Sequence, residues 1–231
     1  MQTTYLITGA NRGIGLELSK HIVSNGDRLI AICRKPKEAM ELNELSRKFK
    51  DRIMIFSADV SHDIDLLSVA SQIDFPIDTI ICNAGMMSDQ GGITSRANES
   101  DVVSNILMTN IAGPFYTVRS FLPQLKLGKN PRVSIISSYM GSQKHQGASS
   151  YFYRASKAGV NNIMVTLSNE LKSEGIIVNS FHPGWVRTDM GGKNANISPE
   201  ESAENILKQL RKLNLTNTGL FLNYNGTELP L

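Results

Sequence analysis

Cysteine is nearly absent: the 231 residues contain two, Cys33 and Cys82, and neither has a second cysteine or a histidine at metal-ligand spacing. That excludes a disulfide-stapled scaffold and a Cys-x-x-Cys zinc site. The four histidines, His21, His62, His145 and His182, are equally scattered, so no metal is expected. Aromatic residues make up 6% of the chain and the net charge is only +3, with no basic stripe interleaved with aromatics. Nucleic acid is therefore not expected as a partner. No apolar run approaches the ~18 residues of a membrane span, and the N-terminus runs straight into a strand without a signal peptide. No membrane association is expected, and cytoplasm is the expected location. Linker composition, charge blocks and repeats are also lacking, so residues 1–231 read as one domain, with 41% hydrophobic residues to build its core.

What is present is an alternation of short apolar runs with longer amphipathic ones. The short runs read as strands over 4–8, 28–33, 52–57 and 79–82, from Val133 to the pair Ser137 and Ser138, and over 176–181 and 220–223. Helices are expected over 14–23, 36–49, 63–73 and 100–125, along the segment carrying Tyr153, and after Ser198, where Pro199 and Glu201 complete a capping box. Every crossover is long enough for parallel neighbours. The expected fold is a Rossmann-type, doubly wound α/β domain with a mostly parallel sheet of about seven strands and helices on both faces. With strand order 3-2-1-4-5-6, Cys33 and Cys82 flank the first strand, roughly 9–10 Å apart at ~4.8 Å per step. That is too far for a disulfide, and both are expected as buried thiols.

The first strand breaks into Gly9-Ala10-Asn11-Arg12-Gly13-Ile14-Gly15, and a helix follows. Strand, glycine turn and helix together make a phosphate site. Gly9 permits a tight turn, Gly13 lets backbone approach a pyrophosphate, and Gly15 allows close helix packing, with free amides and the positive helix end aimed at the anion. A plain turn is the alternative. The second strand ends at Cys33-Arg34-Lys35, where an acid would accept the ribose hydroxyl of NAD and an arginine accommodates the 2′-phosphate of NADP. No acid stands there. Arg34 and Arg12 form a fork for that phosphate, and NADP(H) is expected in preference to NAD(H).

The chemistry sits between Val133 and Lys157. Tyr153 and Lys157 are four apart on a helix, so phenol and ammonium face the same space. A cation ~4 Å from the phenol contributes on the order of 4 kcal/mol, enough to lower a pKa near ~10 toward neutrality. A solvated surface pair is the plain alternative. The small residues Ala155, Ser156, Ala158 and Gly159 around the lysine suit a flat ligand lying on the helix, and Ser138 ends the preceding strand, where open parallel sheets bind ligands. The Gly113-Pro114 pair should bend the long helix and free a carbonyl, and Asn110 either patches that kink or serves a site. Asp59 at the end of the third strand reads as a turn or N-cap residue. The segment 86–98 reads as a loop, and 191–196 as a small, polar lid.

These pieces together resemble the short-chain dehydrogenase/reductase family over essentially the whole chain. The carriers are TGANRGIG at 8–15, DV at 59–60, NAG at 83–85, NIAG at 110–113, ISSYMG at 136–141, YRASK at 153–157 and PGWVRT at 183–188. The TDMGG segment and the closing GLFLNYNGTELP resemble the subgroup of sniffer-type carbonyl reductases and the bacterial C-factor. The resemblance implies an NADP(H)-dependent oxidoreductase acting on a small carbonyl compound or its alcohol. Tyr153 would be the proton donor, Lys157 would lower its pKa and hold the nicotinamide ribose, Ser138 would polarise the carbonyl, and Asn110 would keep the water of a proton relay. Asp59 and Val60 would meet the adenine, Asn83, Ala84 and Gly85 would line the cofactor, and Pro183, Gly184, Val186 and Thr188 would receive its carboxamide. Ser138 lies slightly farther from Tyr153 than the family pattern has it, which leaves Ser137 as the other candidate; Gly141, three residues on, favours Ser138. The substrate pocket is expected between 86–92, 140–150 and 185–196. The helices at 100–125 and 153–174 resemble the pair through which the family dimerises, so a homodimer or homotetramer is expected. The other reading is a dinucleotide-binding signalling or sensor protein of C-factor type with little turnover.

Overall fold

The computed structural model describes residues 2–88 and 91–231. Seven strands form one sheet: β1 (Thr4–Thr8), β2 (Arg28–Cys33), β3 (Ile53–Ser57), β4 (Thr79–Cys82), β5 (Arg132–Ile136), β6 (Ile177–His182) and β7 (Phe221–Asn223). Their order is β3-β2-β1-β4-β5-β6-β7, and every pair is parallel. Such strands are covered on both faces, which is why β1, β4 and most of β2, β5 and β6 are apolar and buried along their length. On one face lie α1 (Gly13–Ser24), α2 (Met40–Lys48) and α7 (Pro199–Leu210), packed through Leu18, Ile22, Leu42 and Ile206. On the other lie α3 (Asp63–Ala70), α5 (Gly113–Lys126) and α6 (Tyr151–Leu171), through Leu66, Phe121, Val160 and Met164. The order reverses at β1, with β2 on one side and β4 on the other, and the crevice above that point is where ligands of such sheets bind. Cys33 and Cys82 are buried and free. Among the described residues no helix is long and apolar enough to cross a membrane.

Three elements differ from expectation. The helix expected over 36–49 is a 3-10 turn, Pro36–Glu38, and then α2, broken at Ala39 (ψ 69°). The long helix over 100–125 is α4 (Ser100–Leu107), a π-helical turn Met108–Ala112, and α5. Pro114 has no N–H for the carbonyl of Asn110, and the ladder shifts by one so that Gly113 N–H donates to Met108 O. Gly113 meets Val60 there, since a Cβ on it would stand 2.9 Å from Val60 Cγ2. Lastly, β5 stops at Ile136, so Ser138 caps the 3-10 turn Tyr139–Gly141 instead of ending the strand. Of the loop expected over 86–98, Asp89 and Gln90 lie outside the described residues, and Arg96–Asn98 form a 3-10 turn. At α7, Ser198 Oγ accepts from Glu201 N–H at 3.0 Å, as the expected cap requires.

Candidate active site

A cleft of about 820 Å³ opens above the carboxyl ends of β1, β2, β4 and β5. It is lined by Gly9, Asn11, Arg12, Gly13, Ile14, Arg34, Asp59, Val60, Asn83, Ala84, Gly85, Tyr153, Lys157, Pro183 and Thr188, all expected from sequence. Ser137 lines it as well, whereas Gly15, Asn110, Ser138, Gly184 and Val186 do not.

The glycine turn is shaped as an anion cradle. Gly9 and Gly13 have φ of 67° and 54°, a conformation that costs side-chain-bearing residues energy. A Cβ on Gly15 would lie 2.2 Å from Gly9 O and 2.5 Å from Asn83 Nδ2, so only glycine lets α1 start this close to β1. The N-terminus of α1 has no side-chain cap and no acid in its first turn. Its amides and positive dipole end are left for a phosphate. Asn83 does not offer its amide to the cleft: Nδ2 donates to Thr8 O and Gly9 O, clamping β4 to the turn.

At the other end, Tyr153 and Lys157 are both buried, and the Lys157 Nζ lies 5.7 Å from the Tyr153 ring centre. Nζ donates to Ile136 O at 2.8 Å, which anchors α6 to the end of β5. Burial pushes the Tyr153 phenol above its usual pKa, opposed by a hydrogen bond with the Ser138 hydroxyl. Burial also brings the Lys157 ammonium down to about 8. Lys157 Nζ is directed at that carbonyl, and burial is the larger influence on the phenol. Ser138 and Ser137 separate cleanly. The Ser138 hydroxyl meets the phenol and accepts from Met140 N–H at 3.1 Å, whereas Ser137 Oγ donates to Lys157 O at 3.3 Å and holds α6 in place.

The Asn110 side chain does not reach the carbonyl freed at the kink. Its Oδ1 accepts from Met86 N–H, and its Nδ2 donates to Met86 O and Ser156 Oγ, tying the π turn to the segment after β4 and to α6. The small residues of α6 serve the same packing. Ser156 is buried against Asn110, and a Cβ on Gly159 would stand 2.7 Å from Ile111 Cδ1, so the flat-ligand reading of these two positions is also corrected. Asp59 is a turn residue as the pattern suggests: Oδ1 accepts from Ser61 N–H and Oγ–H, while Oδ2 lies 3.9 Å from Arg34. Burial works against its charge, and the Ser61 bonds with the nearby guanidinium hold its carboxyl below the usual range all the same.

The Pro183–Thr188 loop is folded on itself. Gly184 has φ 86° and packs on Ile197 and Tyr224, and Val186 is buried and bridges to Ile197. Thr188 faces the glycine turn, its Cγ2 3.2 Å from where a Gly13 Cβ would be. Trp185 Nε1 donates to Gly191 O, fixing the expected lid segment. Sequence reasoning missed Lys35 and Thr109 among the lining residues, whereas Met190 and Asp189 belong to the 185–196 segment expected to bound the substrate pocket.

A family model described as short chain dehydrogenase matches residues 3–198. An uncharacterized oxidoreductase of Schizosaccharomyces pombe is 34% identical over 256 residues, covering all of both chains. The C-signal protein of Myxococcus xanthus is 34% identical over 158 residues, 67% of this chain and 93% of that protein. Among solved structures, the carbonyl reductase Sniffer of D. melanogaster matches with a TM-score of 0.93 and 30% identity, covering the whole of both chains. An NADPH-bound carbonyl reductase from chicken fatty liver matches with a TM-score of 0.91 and 29% identity, again over both whole chains. The glycine turn under α1, the buried Ser138, Tyr153 and Lys157, and these likenesses agree: the chain is an oxidoreductase belonging to the short-chain dehydrogenase family.

Proposed function

We propose that the protein reduces a small uncharged carbonyl compound to its alcohol, or runs the reverse reaction, with NADP(H), and that Tyr153 donates the proton. The observation that carries this reading is the buried phenol of Tyr153, hydrogen-bonded to Ser138 and one helical turn from Lys157 at the inner end of the cleft. Bound NADPH would supply the hydride. As the carbonyl oxygen gains charge, the Ser138 hydroxyl and the Tyr153 phenol would donate to it, and the phenol would pass its proton across. Lys157 would hold the ribose and balance the phenolate left behind. Asn110 holds the segment after β4 through Met86, which keeps that wall of the cleft in register with α6. Arg12 and Arg34 line the ribose end, where a 2′-phosphate would be bound by charge-assisted bonds. Tyr139, Trp185 and Met190 are exposed apolar groups next to Ser138 and Thr188, which suits a substrate with a hydrophobic part.

The test is Tyr153→Phe assayed with NADPH against a panel of carbonyl compounds. It should retain cofactor affinity and lose at least ~10²-fold in turnover, because only the proton-transfer group is removed. Activity near wild type with any member of the panel sinks the assignment. The same panel decides the second reading, a signalling protein with little turnover, which the likeness to C-signal favours. That reading requires no turnover of any member by the wild type.

A further inference from the structure

Three cations line the ribose end of the cleft, and each has a carboxylate in place: Arg34 near Asp59 at 3.9 Å, Lys35 on Glu38 at 3.1 Å, and Arg12 on Asp189 at 2.6 Å. The first two carboxylates are local to their cations. Asp59 is pinned by both hydrogen bonds from Ser61, and Glu38 is only three residues from Lys35 in the turn after β2. Asp189 differs. It is 177 residues from Arg12, its side chain is 80% exposed, and its carboxylate has no second partner among the described residues.

Asp189 also belongs to a unit that reaches the substrate side. Thr188 Oγ1 accepts from Gly191 N–H and Thr188 O from Gly192 N–H, while Gly191 O holds the Trp185 indole. Two contacts close this unit onto the glycine turn, Thr188 against Gly13 and Asp189 against Arg12. Building on the NADP(H) reading, we propose that Asp189 is a specificity-determining residue: it occupies Arg12 until the cofactor's 2′-phosphate displaces it, and its release frees the 188–196 segment. A phosphate brings more charge and more acceptor oxygens than a carboxylate, and two anions repel each other at one guanidinium, so the exchange runs one way. A dinucleotide without the phosphate leaves the pair closed. The chain thereby reads the phosphate twice, as affinity and as motion of the segment beside the substrate.

The experiment compares adenosine 2′,5′-bisphosphate with AMP on the wild type and on Asp189→Asn, by calorimetric titration and by amide hydrogen exchange of residues 189–196. An exposed ion pair contributes about 0.4–1 kcal/mol at the upper part of its range, so Asp189→Asn should bind the bisphosphate about two- to fivefold tighter with AMP affinity unchanged. Exchange of 189–196 should rise in the wild type with the bisphosphate and not with AMP, and should already be high in the variant. Equal exchange under both ligands, or a variant that binds both ligands more weakly, overturns the proposal; the latter makes the pair a clasp that holds the cofactor. A wild type that binds the two ligands equally removes the NADP(H) preference, and the inference with it.

Discussion

Burial leaves Tyr153 a neutral phenol and Lys157, below about pH 8, an ammonium, because desolvation raises the first and lowers the second. That is the protonation state a proton donor needs for reduction, and the reverse oxidation would require the phenolate. The motif spacing made both residues legible, since i, i+4 positions on a helix must share a face. Their electrostatics were not legible, because the Ile136 carbonyl that takes the Lys157 proton donor is set by the end of β5, not by local sequence. The pairing of Asp189 with Arg12 was hidden in the same way by their 177-residue separation. His182 extends the point. Its ring stands 5.9 Å from that of Tyr139, its Nδ1 is buried without a partner among the described residues, and burial together with His145 brings its pKa down to about 4 from 6.5. The unfolded chain takes up that proton as pH falls below 6.5 while the folded chain resists until about 4. Stability is therefore fully present above pH 6.5 and drops toward pH 4, by at most ~3 kcal/mol at about 1.4 kcal/mol per unit. Urea unfolding at pH 7, 5 and 4 should show a shallower acid loss in His182→Gln. Identical losses in the two proteins would assign the effect to other groups.

The elements were legible where one pattern decides them. Apolar runs bounded by turns located six of the seven strands to within a residue and overran β5 by two at its C-terminal end, and Gly9, Gly13 and Gly15 marked where β1 hands over to α1. The π turn was legible only as a bend. The Gly113-Pro114 pair announces that a carbonyl loses its donor, but not that the ladder shifts by one residue or that Asn110 within the turn grips Met86 and Ser156, which come from other elements. Of the three turn glycines, Gly15 supports the sharpest test, since its helical backbone suits any residue and only space forbids a side chain. A methyl group there would meet the Gly9 carbonyl, which is backbone and cannot rotate away. Gly15→Ala should push α1 from β1 and cost about 1–3 kcal/mol, read as a lower urea midpoint, and dinucleotide affinity should fall with it. An unchanged midpoint would mean that the turn yields without loss.

For the molecule as a whole, strand order and parallel direction followed from β-α alternation and right-handed crossovers, which leave few ways to wind seven strands. Assembly is a different matter, because surface chemistry carries no such periodicity. The expected homodimer would pair the helices over 100–125 and 153–174, that is α4 with the π turn and α5, and α6, with the same helices of a second copy. The outer side of α5 and of the π turn before it presents Met108, Phe115 and Arg119, whose guanidinium lies 5.8 Å from the Phe115 ring centre. On α6 the exposed residues are Tyr151, Ala155, Asn162, Thr166, Asn169 and Glu170, of which Ala155, Asn162 and Thr166 are small enough for close approach of two helices. This mixture matches an ordinary interface, which is no more apolar than the rest of a surface and buries roughly 800 Å² per partner. Light scattering at micromolar concentration should therefore give twice or four times the 25.4 kDa chain mass. Phe115→Glu would place a charge at the centre of that contact and should shift the population to monomer. A wild type at 25.4 kDa under these conditions refutes the assembly while leaving the cleft and its chemistry intact.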